Sequence, residues 1–374
     1  MIYKKFGELS LSALGVGTMR LPTVDGDNAK IDEAVTAEMF DYAIKHGVNY
    51  FDTAWGYHSG QSELTVGKIL SSYPRESFYL STKFPGYNVS NLEKVEEIFE
   101  KQLEKCRVEY FDFYLVHNVC ESNIDAYLDP KYGLYDYLVE QKAKGRIKHL
   151  GFSVHGSLDV TKRFLAVYGQ AMEFCQVQLN WIDYDFQSAK DKLELLAEWN
   201  IPVWVMEPLR GGKLAVLDEK YEKKLKELRP NETVPAWSFR YLQSFEQVTV
   251  TLSGMSNFTQ LAENIRTFET EAPLNGAEIE TLYSIAKHMV GSVPCTACRY
   301  CTEKCPMQLD IPELIKLYNE HTFTEDGFIA PMALSAMSED KRPAACLGCR
   351  ACEQVCPQMI KISEVLSDFV EKLK

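Results

Sequence analysis

Three things are missing from this chain. No stretch of its 374 residues approaches the roughly eighteen consecutive apolar side chains of a membrane-spanning helix, so a membrane span is not expected. Basic charge is in short supply: 40 Lys and Arg face 53 Asp and Glu, a formal charge of -13. That balance repels phosphate backbones and anionic bilayers within a Debye length, which argues against nucleic acid and membrane surfaces as partners. The opening "MIYKKFGELSLSALGVG" alternates polar and apolar residues and has no hydrophobic core region of a secretion signal, so a cytoplasmic location is expected. What remains is ordinary: 46% hydrophobic and 25% charged residues describe a globular chain long enough for one large domain and a small one.

Cysteine is the exception. Eight of the eleven cysteines fall in two runs, "CTACRYCTEKCP" from Cys295 and "CLGCRACEQVCP" from Cys346. Both read C-x2-C-x2-C-x3-C-P, the spacing of two-cluster iron-sulfur proteins, in which the fourth cysteine of each run ligates the other cluster. One 4Fe-4S site would take Cys295, Cys298, Cys301 and Cys356, and the other Cys346, Cys349, Cys352 and Cys305. Paired CxxC motifs also suit structural zinc, but zinc sites rarely need a third equally spaced cysteine and a proline in both halves. Thiolates that must receive iron fit a reducing compartment. Cys106, Cys120 and Cys175 are left over as small buried hydrophobes. "IPELIKLYNEH" between the runs and "ISEVLSDFVEKL" after them carry apolar residues at helical spacing, which predicts a helical module.

Upstream, eight short apolar runs alternate with helical patterns: residues 13 to 18, 48 to 54, 78 to 83, 111 to 117, 147 to 154, 175 to 180, 203 to 208 and 248 to 254. Between the third and fourth, Leu92, Val95, Ile98, Phe99, Leu103 and Cys106 form one apolar stripe. Near-continuous apolar strands separated by helices call for a parallel sheet covered on both faces. Eight units in about 270 residues is the size of a closed (β/α)8 or TIM barrel. The first fourteen residues, "MIYKKFGELSLSAL", read as a hairpin plugging its bottom. The expected organisation is a barrel over 1–290 and a helical ferredoxin domain over 291–374.

Four polar residues fall together at the strand ends where barrel enzymes build their sites: Asp52, Tyr57, Lys83 and His117. A tyrosine is a poor acid or base near neutrality, but a lysine ammonium beside it favours the anion. Asp52 would hold Lys83 charged, and His117 could donate to a carbonyl oxygen as charge develops there. Taken singly, each has a structural explanation as surface aromatic, rim charge, core histidine or helix cap. Four on one rim do not.

"HGVNYFDTAWGYHSGQSELTVGKIL" resembles the signature of the aldo-keto reductases around their catalytic Asp and Tyr, and Lys83 and His117 fall where that family has its other two catalytic residues. The whole chain resembles the branch in which such a barrel is fused to a dicluster ferredoxin module. The resemblance implies a nicotinamide nucleotide, NADH or NADPH, lying across the rim and reducing a small-molecule carbonyl while Tyr57 supplies the proton. It places Ser153 and Gln178 on the nicotinamide carboxamide, and Glu263 and Asn264 at the adenosine end. The loop residues Met206, Glu207, Pro208, Leu209 and Gly211 would follow the nucleotide between these ends, as would Ser253, Gly254, Ser256 and Gln260. Two positions depart from the family pattern. Met206 or Glu207 replaces the aromatic residue that stacks on the nicotinamide, and Ser256 stands where an arginine commonly binds the 2′-phosphate of NADP, which removes the ground for a strong NADP preference.

Hydride delivers two electrons, whereas each cluster takes one, and the division normally needs a flavin or another carrier of single electrons. No flavin motif is visible. Three readings stay open: a carbonyl reductase with clusters in a secondary role; a reductase in which cluster electrons, from a partner such as ferredoxin, reach a flavin or substrate in the barrel; and a nucleotide-sensing regulatory barrel.

Overall fold

The computed structural model describes residues 1–290, 293–324 and 327–374. The chain separates into two compact units, Met1–Tyr283 and Ser284–Lys374, divided within the helix Gly276–Met289. The boundary expected between 290 and 291 abuts residues 291 and 292, which lie outside the described residues.

The first unit opens with an antiparallel hairpin, β1 (Tyr3–Phe6) and β2 (Leu9–Ser12). Eight parallel strands then close a barrel: β3 (Leu14–Gly17), β4 (Tyr50–Asp52), β5 (Tyr79–Phe84), β6 (Phe111–Val119), β7 (Ile147–Val154), β8 (Phe174–Gln178), β9 (Val203–Met206) and β10 (Val248–Gly254), with β10 pairing β3. Their near-continuous apolar character follows from burial on both faces, inside against the barrel core and outside against helices. The helix Val95–Cys106 shows the outer packing, burying Val95, Ile98, Phe99, Leu103 and Cys106. Leu92 of the same stripe belongs instead to a preceding 3-10 stretch, Val89–Lys94, because Lys94 leaves helical geometry at φ -129°.

The hairpin plugs the bottom as expected. Phe6 meets Phe113, Phe174 and Trp204 with ring centroids 5.8, 6.5 and 5.2 Å away, and Leu11 is fully buried with them. Closing this end with aromatic side chains leaves the opposite rim as the open face. Cys106, Cys120 and Cys175 are buried in the unit, and burial pushes each thiol's pKa up.

The second unit is helical among its described residues, with Ile311–Thr324, Ile329–Ser335 and Ile362–Lys372 packed on one small core that includes Leu314, Leu334, Leu366 and Phe369. Cys301 and Cys352 are part of that core. Among the described residues no helix is long and apolar enough to cross a membrane.

Candidate active site

Strand ends and one turn bring the four rim residues together. Asp52 ends β4, Lys83 lies near the end of β5, and His117 lies in the last third of β6. Tyr57 sits five residues beyond Asp52 at the start of a tight turn, Tyr57–Gly60, in which His58 and Ser59 take left-handed conformations with φ 52° and 55°. Such geometry is uncommon outside glycine and persists where neighbours enforce it. Here His58 does so: its Nε2 accepts from the Leu21 N–H at 3.0 Å, which leaves Nδ1 to donate to the Asn28 carbonyl at 2.8 Å. His58 therefore anchors the turn. Ser62, one turn on, lies 2.7 and 2.9 Å from the hydroxyls of Thr18 and Thr53.

Lys83 is the hub. Its Nζ donates to Asp52 Oδ2 at 2.6 Å and to the Thr53 carbonyl at 2.7 Å, and lies 3.4 Å from the Tyr57 hydroxyl. From behind, Gln102 donates to the Lys83 carbonyl at 3.0 Å and to Glu63, which also accepts from Thr82 and pairs with Lys105. Burial alone would favour loss of the Lys83 proton, but the Asp52 charge and Tyr57 hold it, and its pKa lies above the ordinary lysine value. Burial lifts the Asp52 carboxyl, with the ammonium pulling it back. His117 is pushed far below its ordinary pKa by burial and by the Lys83 charge, so its imidazole is neutral, and its Nδ1 is buried without a hydrogen-bond partner. Its ring lies nearly perpendicular to those of Tyr57 and Tyr87, with centroids 6.2 and 5.4 Å away.

One expectation is corrected. Lys83 does favour the Tyr57 anion, but burial raises the phenol and the carboxylates of Asp52 and Glu207 add to it, so the net pKa is above the ordinary value. Tyr57 is therefore held as a protonated phenol in the resting site.

Beside the tetrad lies a cleft of about 290 Å³ that reaches Asp52 and Tyr57. The loop after β9 lines it with Met206, Glu207, Pro208, Leu209 and Gly211, and the end of β10 and the following helix line it with Ser253, Gly254, Ser256, Gln260, Glu263 and Asn264. These are the residues expected along a nucleotide. The helix Phe258–Thr267 is aimed by its cap: Asn257 accepts from the Gln260 N–H at 3.0 Å. Asn264 donates to Ser253 at 3.1 Å. Ser256 is engaged at both ends, its N–H donating to Gln260 and its hydroxyl to the Arg20 carbonyl. Gly211 and Gly212 have φ 65° and 101°, a path other residues rarely follow, and an added Cβ on Gly211 would lie 3.1 Å from the Arg20 guanidinium.

Two expected residues lie outside the cleft lining. Ser153 accepts from the Asn118 N–H at 2.8 Å, and Gln178 donates to Asp183 at 2.8 Å. Two others were missed. Gln176, two residues before Gln178 on the same face of β8, lines the cleft with its Oε1 buried and without a partner. Period-two alternation selects both glutamines and cannot choose between them. Arg20, just past β3, also lines the cleft, its guanidinium 4.0 Å from Glu207. Only its place at a strand end could have drawn attention to it.

In the second unit the cysteines sort into two cavities. Cys295, Cys298, Cys301 and Cys356 line one, and Cys305, Cys346, Cys349 and Cys352 the other, so each fourth cysteine crosses to its neighbour's set. Among the described residues no three cysteine, histidine or acidic side chains are arranged to hold one metal ion. Four thiols spread around a shared cavity fit a multi-iron cluster, whose ligands bind separate irons.

The family model of the aldo/keto reductase family matches residues 13–287, and that of the 4Fe-4S dicluster domain matches residues 294–360. A probable aldo-keto reductase of Glycine max is 29% identical over 54% of this chain and 57% of its own length. An NADH-specific methylglyoxal reductase of Escherichia coli is 25% identical over 55% of this chain and 66% of its own, so the chain spans somewhat under two thirds of these two relatives. An uncharacterized oxidoreductase of Bacillus subtilis is 25% identical over 75% of this chain and 94% of its own. The solved aldo-keto reductase AKR11C1 of Bacillus halodurans, in its holo form, has a similar fold, with a TM-score of 0.63, 24% identity, and coverage of 76% of this chain and 96% of that one. The chain belongs to the aldo/keto reductase family of oxidoreductases, its barrel followed by a 4Fe-4S dicluster domain.

Proposed function

We propose that the barrel reduces a small carbonyl compound at its rim, with Tyr57 giving the proton to the carbonyl oxygen. The observation that carries this is the Lys83 ammonium held between Asp52 and the Tyr57 hydroxyl, at 2.6 and 3.4 Å. Asp52 and the Thr53 carbonyl fix Lys83 on one side, so its remaining charge faces Tyr57 and stabilises the phenolate as the proton leaves. The neutral His117 imidazole can donate a hydrogen bond to the same oxygen. The rings of Tyr57 and Tyr87 pack nearly perpendicular to the imidazole, with centroids 6.2 and 5.4 Å away.

A nicotinamide nucleotide bound along the cleft supplies the hydride. Gln176 offers a buried acceptor for its carboxamide, Met206 and Glu207 border its path, and Glu263 and Asn264 take the adenosine end. The cleft-lining charges are Arg20 against Asp52, Glu207 and Glu263, and Ser256 brings no cation, so the less anionic NADH is accepted at least comparably to NADPH. The relative named an NADH-specific methylglyoxal reductase is in keeping with this. The eight cysteines hold two 4Fe-4S clusters in the sets of four that line the two cavities, each storing one electron. We place the protein in the cytoplasm, where thiolates stay reduced.

A second reading has one observation in its favour. Past the end of β9, Met206 and Glu207 rather than an aromatic ring border the cleft, which suits a barrel that takes cluster electrons, delivered by a partner such as ferredoxin, to a flavin or to the substrate. Anaerobic purification separates the two. Release of no flavin, with NADH and NADPH binding within about tenfold of each other, a difference of about 1.4 kcal/mol, supports the first. A bound flavin reduced through the clusters supports the second, and a thousandfold preference for NADPH would overturn the assignment at Ser256.

A further inference from the structure

β6 loses its register at His117. Val116 pairs with Phe152 of β7 and Val119 with Val154, so three steps along β6 are set against two along β7. The extra residue is taken up at His117 and Asn118, where Asn118 turns to φ 55°. A bulge of this kind bends the strand and re-aims a side chain, and it recurs beside reacting groups. The ladder resumes at Val119, whose carbonyl accepts from the His155 and Gly156 N–H groups at 3.1 and 3.0 Å.

A bulge takes backbone groups away from their ladder partners, and those shielded from water must be paired some other way. Here side chains do it. The Tyr127 hydroxyl donates to the His117 carbonyl at 2.6 Å. Ser153 Oγ takes the Asn118 N–H at 2.8 Å, and Asn123 Nδ2 donates to the Asn118 carbonyl at 2.8 Å. Asn123 Oδ1 then accepts from the Cys120 N–H at 2.9 Å, which closes the turn into the helix Ile124–Leu128 that carries Tyr127.

Tyr127 itself has little freedom. It is 2% exposed, its carbonyl accepts from the Tyr168 hydroxyl at 2.7 Å, and its ring lies so close to Gly86 that a Cβ there would meet it at 2.3 Å. The residue after Gly86 is Tyr87, whose ring stands against the imidazole with centroids 5.4 Å apart. Tyr127 therefore bonds the backbone that carries the imidazole and packs on the segment that carries the ring beside it.

Resting on the part proposed for His117 in carbonyl reduction, we infer that Tyr127 is a positioning residue: it locks the bulge at His117 and so fixes where the imidazole stands relative to the oxygen that Tyr57 protonates. Its hydroxyl is committed to the His117 carbonyl, so its effect on turnover passes through His117.

The test places Tyr127→Phe in two backgrounds, the native full-length chain and His117→Ala, with NADH saturating and methylglyoxal as the carbonyl probe. In the native background kcat should fall by about threefold to about a hundredfold, the upper figure being the cost of a misplacement of about 1 Å, while the Kd of NADH stays unchanged. In the His117→Ala background the same substitution should cost nothing further, since residues that act as one unit are not additive. A second readout needs no turnover. Diethyl pyrocarbonate should modify His117 faster in Tyr127→Phe than in the native chain, followed by peptide mass spectrometry, while the exposed His46 and His288 keep their rates. Gly86→Ala pushes on the same ring from its other side and should reproduce both effects, which decides the matter if Tyr127→Phe does not fold. Equal losses in the two backgrounds, or a Tyr127→Phe chain with native kcat and native His117 modification, would overturn the inference. No turnover by the native chain, or full turnover in His117→Ala, would instead remove the reading on which it rests, and the modification rates would still decide whether Tyr127 holds the imidazole.

Discussion

The top of the barrel buries Lys83 and Asp52 almost completely, with side chains 1% and 4% exposed, whereas the bottom leaves the Glu173 cluster in partial contact with water, Glu173, His149 and Lys142 being 31%, 24% and 34% exposed. Both are short ion pairs, at 2.6 Å and 2.7 Å for the closest contacts. Their surroundings make them different objects. A pair removed from water is held at a high desolvation cost and is weak evidence of stabilisation for its own sake. A partly solvated pair loses less on folding and is screened. The buried pair sits against Tyr57 in a cleft, and the solvated one ties β7 to the segment before β8, with Glu173 also accepting from the Leu150 N–H at 3.0 Å. The more deeply buried of these two pairs is the one beside the proposed proton donor.

That contrast can be broken by removing one partner from each pair. All five tryptophans, at 55, 181, 199, 204 and 237, lie in the first unit, so their fluorescence in urea follows the barrel alone. Lys83→Met leaves the Asp52 charge buried and unpaired, and the barrel should lose about 3–5 kcal/mol. Glu173→Gln should cost less, about 1–2 kcal/mol near neutral pH, because the full depression of its pKa corresponds to about 3 kcal/mol and water screens part of it. Equal losses would mean that burial does not separate the two pairs.

Acid sharpens the smaller effect. Although burial opposes it, hydrogen bonds from His149, Lys142 and the Leu150 N–H hold the Glu173 carboxyl down at about 2, against about 4.3 in an unfolded chain. A depressed folded value stabilises the protein above the unfolded value and loses that contribution as pH falls through the window between them. The stability difference between native and Glu173→Gln barrels should therefore be constant above about pH 4.3 and shrink as pH falls toward about 2. A difference that persists unchanged to the low end would detach Glu173 from the bottom cluster.

The barrel could be read from its sequence because eight apolar runs have no other economical closure, and the cysteine sets because their spacing is local and doubled. Three features depended on the folded chain. The run at 203 to 208 ends as a strand at Met206, since Glu207 turns to φ 56° ahead of Pro208. Gln176 and Gln178 share a strand face, and only their depth along β8 decides which reaches the cleft. Arg20 enters because the end of β3 passes against Gly254, with an added Cβ there 3.3 Å from the arginine stem, an approach made across residues far apart in the chain. The Tyr57 pKa shows the same limit: the lysine neighbour could be inferred, but the burial that outweighs it could not.

The central claim is that Tyr57 delivers the proton, and Tyr57→Phe tests it with the smallest change, one hydroxyl removed beside an intact Lys83–Asp52 pair. Carbonyl reduction should be measured with nucleotide saturating, and with iron content and urea stability checked against the native chain. The account predicts a fall in kcat of at least about a hundredfold, the usual worth of a general acid, with both clusters and the barrel unchanged. Turnover equal to that of the native protein would contradict it and take the rim tetrad out of the mechanism.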